Sequence, residues 1–183
     1  MKLIKISIAF CMLVSTLSCT KDVDFNQVDD IDIHTSFIST LFYLDFYASD
    51  FLNTSNQEIH LQSDVVVASV KEGMKDYLEK IEFNIVTKNT FNRQFTLQVI
   101  FYDENMQPIY ILKPNIVIPS NSNTKNTVIT VPKEDISVIY STIYFGFSMV
   151  LQPSTTGEII KATDTYNLNI KSSATLYFNY KKV

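Results

Sequence analysis

The chain is poor in the residues on which most enzyme sites depend. Its 183 residues include no Trp, three Gly, two His and two Cys. Three glycines are too few for a phosphate-cradling loop, and no G-x-S-x-G nucleophile motif is present. Arg93 is the only arginine. Because phosphate contacts require concentrated Lys and Arg, we expect no nucleic-acid partner, and we predict a non-enzymatic protein without a cofactor.

The N-terminus is typical of a secretory signal. Residues 1–5 carry two positive charges and no acid, and residues 6–17 are uncharged and rich in large apolar side chains. This apolar run of about 12 residues would form a helix about 18 Å long, which is short of a hydrocarbon layer of roughly 30 Å. A basic start followed by a short apolar core predicts an exported protein rather than a membrane-spanning one.

The apolar run ends in Leu17-Ser18-Cys19, which resembles the lipobox of bacterial lipoproteins. In those proteins a diacylglycerol is attached to the cysteine before the signal is removed. The usual pattern has Leu three residues before the cysteine and a small residue two before it, whereas this chain has Thr16 and Leu17 there. The resemblance implies a signal peptide over 1–18 and lipidation of Cys19. The alternative is ordinary signal cleavage and a soluble secreted protein.

Lipidation of Cys19 would make the membrane a partner of the protein. One acyl chain holds only marginally and two or more hold stably, at about 0.8 kcal/mol per buried CH₂. The next residue is Thr20 rather than the Asp that retains enterobacterial lipoproteins at the inner membrane. The segment KDVD at 21–24 partly resembles a surface-export signal of Bacteroidetes. We expect an acidic tether over 19–30 and an outer-membrane location, with the cell surface favoured over the periplasmic face.

Loss of the signal would also remove Cys11, so the exported body would contain no disulfide. Such a body must be held by its core, which 46% hydrophobic residues make feasible. Alternation of apolar and polar residues dominates 31–183 and predicts half-buried strands. The clearest example runs from 166 to 180, with a bend or bulge expected near Ser172-Ser173.

Turn residues divide the body into short segments. Asp103-Glu104-Asn105 predicts a hairpin between strands at 94–102 and 107–112, and 120–126 is predicted to be a polar loop. Short helices are predicted at 70–78 and 133–140, the second from Pro132 followed by two acids. The predicted fold class is all-β, a single antiparallel β-sandwich domain over 31–183, immunoglobulin-like or similar, with one or two short helices.

The order of these segments is similar to that of small outer-membrane lipoproteins from flavobacteria and other Bacteroidetes. The resemblance depends on the lipobox, the acidic tether, the run NTFNRQFTL at 89–97 and the closing run KSSATLYF at 171–178. It implies an envelope location and a β fold. No catalytic motif defines such a group, so the resemblance implies no activity.

A metal site is one hypothesis for the two histidines. Asp32 and His34, like Glu58 and His60, stand two residues apart and would share one face of a strand. If the two strands paired, two imidazoles and two carboxylates could meet at a metal ion. Such pairs also arise by chance on the surface strands of an acidic protein, and we predict no metal site.

Tyrosines on the outer strand faces provide a second hypothesis. Tyr102, Tyr144 and Tyr177 lie on the strand faces opposite the most regular rows of apolar residues. Tyrosine is suited to recognition at surfaces that are partly exposed to water. The alternative is that these rings pack against other parts of the fold. The sequence therefore offers these tyrosines as candidates and does not decide which residues bind a ligand.

Three functions follow, in order of preference. The first is a membrane-anchored, non-enzymatic envelope protein that binds another envelope protein or has a structural role. The second is a lipoprotein that binds a glycan, through exposed aromatics flanked by Asn and Asp, or a lipid, through a deep apolar cavity. The third is a small hydrolase, which would require His34 and His60, or two acids, to converge.

Overall fold

The computed structural model describes residues 32–67 and 75–181, and within these ranges it contains nine strands in two antiparallel sheets. One sheet has the strand order β1-β9-β3-β7 and the other the order β2-β8-β4-β5, with β6 also paired to β4. The all-β sandwich prediction is confirmed. The strands are β1 (Asp32–Tyr47), β2 (Leu61–Val67), β3 (Leu78–Asn89), β4 (Phe95–Tyr102), β5 (Pro108–Ile111), β6 (Ile116–Ile118), β7 (Ser122–Val131), β8 (Tyr144–Leu151) and β9 (Asn167–Lys181).

The core forms because apolar residues recur at every second position of the central strands. In β4 the alternate side chains of Phe95, Leu97, Val99 and Phe101 are all buried. Aromatic rings fill much of the space between the sheets, and the ring of Phe51 lies 5.2 Å from that of Phe95. Burial of large apolar side chains, at roughly 1.5–3 kcal/mol each, is the main force that holds the two sheets together.

The long C-terminal strand is confirmed, and the position of its irregularity is corrected. Along β9 the even-numbered residues face the core, as the alternation predicts. Ser172 and Ser173 pair in regular register with Ile85 and Asn84 of β3. The register shift lies instead in β3, between Leu78 and Lys80. One extra residue there lets both ends of β3 keep their apolar side chains on the core face.

The prediction of a polar loop at 120–126 is corrected, and the helix predicted at 70–78 lies mostly outside the described residues. Ser122–Val131 forms β7, so most of the predicted polar loop at 120–126 is strand. This segment is polar because β7 is an edge strand, and pairing with β3 satisfies the backbone groups on one side of it. Of the helix predicted at 70–78, residues 70–74 lie outside the described ranges, Lys75 is helical, and Leu78 already belongs to β3.

The hairpin at 103–105 and the helix at 133–140 are confirmed. Asp103 N donates to Gln107 O across the turn, and a 3-10 turn at Lys133–Asp135 leads into the helix α1 (Ile136–Ile139). None of the helices in the described ranges has the length and apolarity to span a membrane. The signal, Cys19 and the tether lie outside the described residues.

The edge strand β1 presents two chemically different faces. Phe42 is buried, and its ring contacts those of Phe145 and Phe147 at 5.6 and 6.0 Å between centroids. Side chains of neighbouring residues in a strand point to opposite faces. Tyr43 and Tyr47 therefore point outward beside β9, where the candidate site lies.

Candidate functional site

The outward face of β1 and β9 carries a cluster of aromatic and polar side chains that we name the tyrosine face. The exposed fractions of Tyr43 and Tyr47 are 58% and 54%. Both residues belong to the end of β1, whose opposite face contributes apolar side chains to the core. The six members of the tyrosine face are Tyr43, Asp45, Tyr47, Asn167, Asn169 and Lys171.

Hydrogen bonds between the two strands orient both tyrosines. Asn169 Nδ2 donates to the Tyr43 hydroxyl at 2.8 Å. The Tyr47 hydroxyl donates to Asp45 Oδ2 at 3.1 Å, and Asn167 Nδ2 donates to the other oxygen of the same carboxylate. Each ring is therefore held at its polar end while more than half of its surface stays open to solvent.

The charges of the tyrosine face follow from the same contacts. The hydrogen bond from Asn167 is the main reason that the pKa of Asp45 lies below its usual value, and bonds from Tyr47 and Asn169 act in the same direction. The carboxylate in turn raises the pKa of the Tyr47 hydroxyl, which stays neutral. Lys171 Nζ lies 5.3 Å from the centre of the Tyr43 ring, within cation–π range. The face thus carries one negative and one positive charge.

This arrangement offers planar rings and directional polar groups together. The Tyr43 hydroxyl accepts a bond from Asn169, so its own hydrogen can be donated outward. Asn167 uses one of its two N–H groups in the bonds described, and the carbonyl oxygens of both Asn amides can accept further bonds. Such a surface can bind a polar ligand without any chemical step.

A second polar cluster occupies the outer face of the same sheet, further along β9. Tyr177 donates through its hydroxyl to Glu82 Oε2 at 2.6 Å, and Lys80 Nζ lies 4.1 Å from the Tyr177 ring centre. Lys80 also forms an ion pair with Glu82 at 3.0 Å. The bond from Tyr177 is the main cause of a lowered pKa at Glu82. Tyr177 therefore faces outward, as predicted, and its proposed binding role stays a prediction.

A shallow cavity of about 490 Å³ lies next to this second cluster. Its lining includes His34, Glu79, Lys80 and Lys133. Charges of both signs are present there, and Lys80 is already paired with Glu82. The cavity is thus a mixed-charge surface depression rather than a defined site for one ion.

The other two tyrosines of the sequence-based hypothesis lie on the second sheet. Tyr102 of β4 is directly opposite Tyr144 of β8 in the strand register, and both side chains are half-buried. A side chain at Gly146 would come within 3.0 Å of the Tyr102 ring. Tyr102 therefore packs over a glycine in the neighbouring strand, and a binding role for this pair stays a prediction.

The structure separates the residues of the metal hypothesis. His34 lies in β1 and His60 directly before β2, and these strands belong to different sheets, so the required strand pairing does not occur. Glu58 is instead bound to Arg93. Asp32 is the first residue of β1. Over 32–67 and 75–181, no three His, Cys, Asp or Glu side chains are grouped as metal ligands.

Arg93, which is buried, and Glu58, which is mostly buried, form an ion pair that we name the arginine clamp. Arg93 Nη1 lies 3.0 Å from Glu58 Oε1, and the exposed side-chain fractions are 6% and 13%. The guanidinium also donates to the backbone carbonyls of Gln152 and Glu158, while Ile160 N donates to Glu58 Oε1 at 2.6 Å. The clamp therefore joins three connecting segments: the one before β2, the β3–β4 loop and the β8–β9 connection.

The sequence carries partial signals for the arginine clamp and for the tyrosine face. Arg93 is conspicuous as the only arginine, but its partners are 35, 59 and 65 residues away along the chain and cannot be read from local patterns. The alternation at 166–180 predicts that Asn167, Asn169 and Lys171 share the polar face of the last strand. Tyr43 and Tyr47 were missed because pairing of the first and last strands of the sandwich is not encoded in local periodicity.

Comparison with known proteins supports the fold alone. No protein-family model matches the chain, and no curated protein does. Among solved structures, a protein from Parabacteroides distasonis that is inferred to be secreted is similar at 14% identity with a TM-score of 0.50, over 63% of this chain and 37% of that one. Infectious bursal disease virus of the Gx strain is similar at 8% identity with a TM-score of 0.45, over 81% and 32%. The chain thus spans well under half the length of these structures.

Proposed function

We propose that this protein is an exported, lipid-anchored envelope protein that binds a macromolecule through the tyrosine face without catalysing a reaction. The observation that carries the proposal is the pair of oriented, half-exposed rings of Tyr43 and Tyr47 beside polar groups of β9. Tyrosine combines a large contact area with a polar tip, which makes it suited to recognition at a wet surface. Residues 31–183 would form the one domain that presents this face.

The anchor part of the proposal is supported by the N-terminal sequence. A basic start, a short apolar run and Leu17-Ser18-Cys19 follow each other as in bacterial lipoproteins. Two or more acyl chains on Cys19 would attach the protein stably to the outer membrane. An anchored body is a reasonable carrier for a binding face, because it holds that face at the envelope.

The non-enzymatic part is supported by how three carboxylates of the described residues are used. Glu58 is engaged by Arg93, Glu82 by Tyr177 and Lys80, and Asp45 by Tyr47 and Asn167. The pKa values of Asp45 and Glu82 are lowered. A general acid needs a raised pKa instead, so these pairs are suited to structure and recognition.

Cys19→Ala tests the anchor. We expect the wild-type protein to be found in the membrane fraction and to incorporate labelled fatty acid. We expect the variant to be found in the soluble fraction and to incorporate none. Protease added to intact cells then distinguishes the two faces of the outer membrane. Equal membrane retention and labelling of the variant would refute lipid anchoring at Cys19.

Photo-crosslinking in living cells tests the face. The change is Tyr43→p-benzoylphenylalanine or Tyr47→p-benzoylphenylalanine in the full chain, with the same replacement of Tyr77 as control. Tyr77 has an exposed fraction of 38% and packs against Tyr180. We expect high-molecular-weight adducts from positions 43 and 47 and none from 77. Absence of adducts at 43 and 47, or equal adducts at all three positions, would refute the proposed binding face.

A further inference from the structure

The tyrosine face has a directional ligand geometry. Tyr43 and Tyr47 are four residues apart in β1, which places their Cα atoms roughly 13 Å apart along the strand. Asp45 lies between them on the same face, and Asn167 and Asn169 lie beside it on β9. The face is therefore a strip with a ring near each end and hydrogen-bonding groups between the rings.

We infer that the ligand of this strip is an uncharged oligosaccharide chain that lies along β1 and β9, an inference that rests on the proposed function. The C–H bonds of a sugar ring carry partial positive charge and pack against the negative face of an aromatic ring. Two rings on one strip can hold two sugar units of the same chain.

The polar groups match the hydroxyl groups of sugars. A hydroxyl is both a donor and an acceptor, and neighbouring hydroxyls are bound best by groups with paired functions, such as an amide or a carboxylate. Asn167, Asn169 and Asp45 supply these groups between the rings. The sequence-based criterion for a glycan site, exposed aromatics flanked by Asn and Asp, is met at this face.

The charge balance favours an uncharged chain over an acidic one. Asp45 stays ionised because its pKa is lowered, and it would repel carboxylate or sulfate groups. The positive charge of Lys171 lies over the Tyr43 ring, at the other end of the strip from Tyr47. One charge of each sign gives no net attraction for a charged polymer.

The composition of the strip also favours a sugar over a protein partner. The central parts of protein–protein interfaces are depleted in Lys and Asp and contain more apolar area. Here four of the six members are Asp, Asn or Lys, and both tyrosines keep their hydroxyls in hydrogen bonds. Because these bonds already fix the rings, binding would cost little side-chain entropy.

Titration of full-length protein in detergent micelles with uncharged oligosaccharides tests this inference. The probes are hexasaccharides of glucose, mannose, xylose and N-acetylglucosamine, with hexagalacturonate as the acidic counterpart. Since the chain contains ten Tyr and no Trp, tyrosine emission and calorimetry both report binding. We expect at least one uncharged probe to bind and hexagalacturonate to bind at least about tenfold more weakly.

Variants locate the binding. We expect Tyr43→Ala and Tyr47→Ala each to weaken affinity for that probe by about tenfold or more, as for central binding residues. Tyr43→Phe keeps the ring and should lose only a few-fold, while Tyr77→Ala should bind as wild type. Unchanged affinity in both alanine variants, with thermal unfolding as wild type, would overturn the inference.

The class of the ligand is separable from the existence of a binding face. Adducts from positions 43 and 47 that stain for carbohydrate and contain no second polypeptide support the glycan inference. Discrete protease-sensitive adducts at the same positions, with no uncharged probe bound, would refute the glycan and leave the binding face standing. Binding of hexagalacturonate as tightly as the uncharged probes would also refute the inference.

Discussion

The arginine clamp and the tyrosine face are both built around a carboxylate with nitrogen donors, and they differ in burial. In the clamp, Glu58 and Arg93 have exposed side-chain fractions of 13% and 6%. In the tyrosine face, Tyr43 and Tyr47 are more than half exposed. A buried charge that loses its partner is costly, whereas exposed polar groups can be solvated by water. Similar polar chemistry therefore holds loops together in one place and is available to a ligand in the other.

The largest expected effect comes from breaking the clamp. Arg93→Ala leaves the buried Glu58 carboxylate and the carbonyl of Gln152 without this donor. We expect the free energy of unfolding to fall by about 3–5 kcal/mol, as when one partner of a buried pair is removed. Urea denaturation followed by tyrosine fluorescence measures the change.

The matched comparison is a double-mutant cycle with Glu58→Ala. Because the second truncation removes the orphaned charge, the double variant should lose clearly less stability than the sum of the two single variants. Additive losses of stability, or a loss below about 1 kcal/mol for Arg93→Ala, would show that the pair contributes no more than a salt bridge on the protein surface.

A smaller loss is expected from Asn89, which supports the same loop. Asn89 is 1% exposed; its amide donates to the carbonyls of Arg93 and Pro119, and Phe91 N donates to its side-chain oxygen. Asn89→Ala should lower the free energy of unfolding by about 1–3 kcal/mol, because buried polar groups lose their partner. Asn92→Ala, at an exposed position of the loop, is the control and should change it by less than about 0.5 kcal/mol. Equal effects of the two changes would contradict the structural role of Asn89.

The fold could be predicted from the sequence to the extent that it depends on periodicity. The alternation at 166–180 and the turn at Asp103 gave β9 and the β4–β5 hairpin, because side-chain direction and turn chemistry are local properties. The edge strand β7 was predicted in part as loop, because its polar residues match loop composition. Backbone pairing with β3 stabilises it, and that pairing is a long-range property.

The candidate site could be predicted less well for the same physical reason. The polar residues of β9 were visible as a face, but their neighbours Tyr43 and Asp45 are more than 120 positions away in the chain. Glu58 and His60 suggested a metal through local spacing, while the fold gives Glu58 to Arg93. Local spacing identifies residues that share a face, and only the strand order shows which faces meet.

The tyrosine face should be nearly neutral for stability. Tyr43→Ala together with Tyr47→Ala removes exposed rings and exposed hydrogen bonds, so we expect the free energy of unfolding to change by less than about 1 kcal/mol. The same double variant should give no ligand binding in the titration. A loss of stability as large as that of Arg93→Ala would show that these rings are structural, and the contrast between the two clusters would then fail.

The smallest expected effect is a pH dependence that belongs to Asp45. Its folded-state pKa is lowered, chiefly by the bond from Asn167, so its contribution to stability is present above the unfolded pKa of about 4 and is lost as pH falls through the folded value. Compared with Asp45→Asn, the wild type should therefore lose a small increment of stability as the pH falls from about 4 through the lowered folded-state pKa. Thermal unfolding of both proteins across this range measures the increment. A curve for Asp45→Asn that parallels the wild type throughout would mean that the carboxylate does not hold the tyrosine face in place, and that Tyr47 is oriented by the backbone of β1 alone.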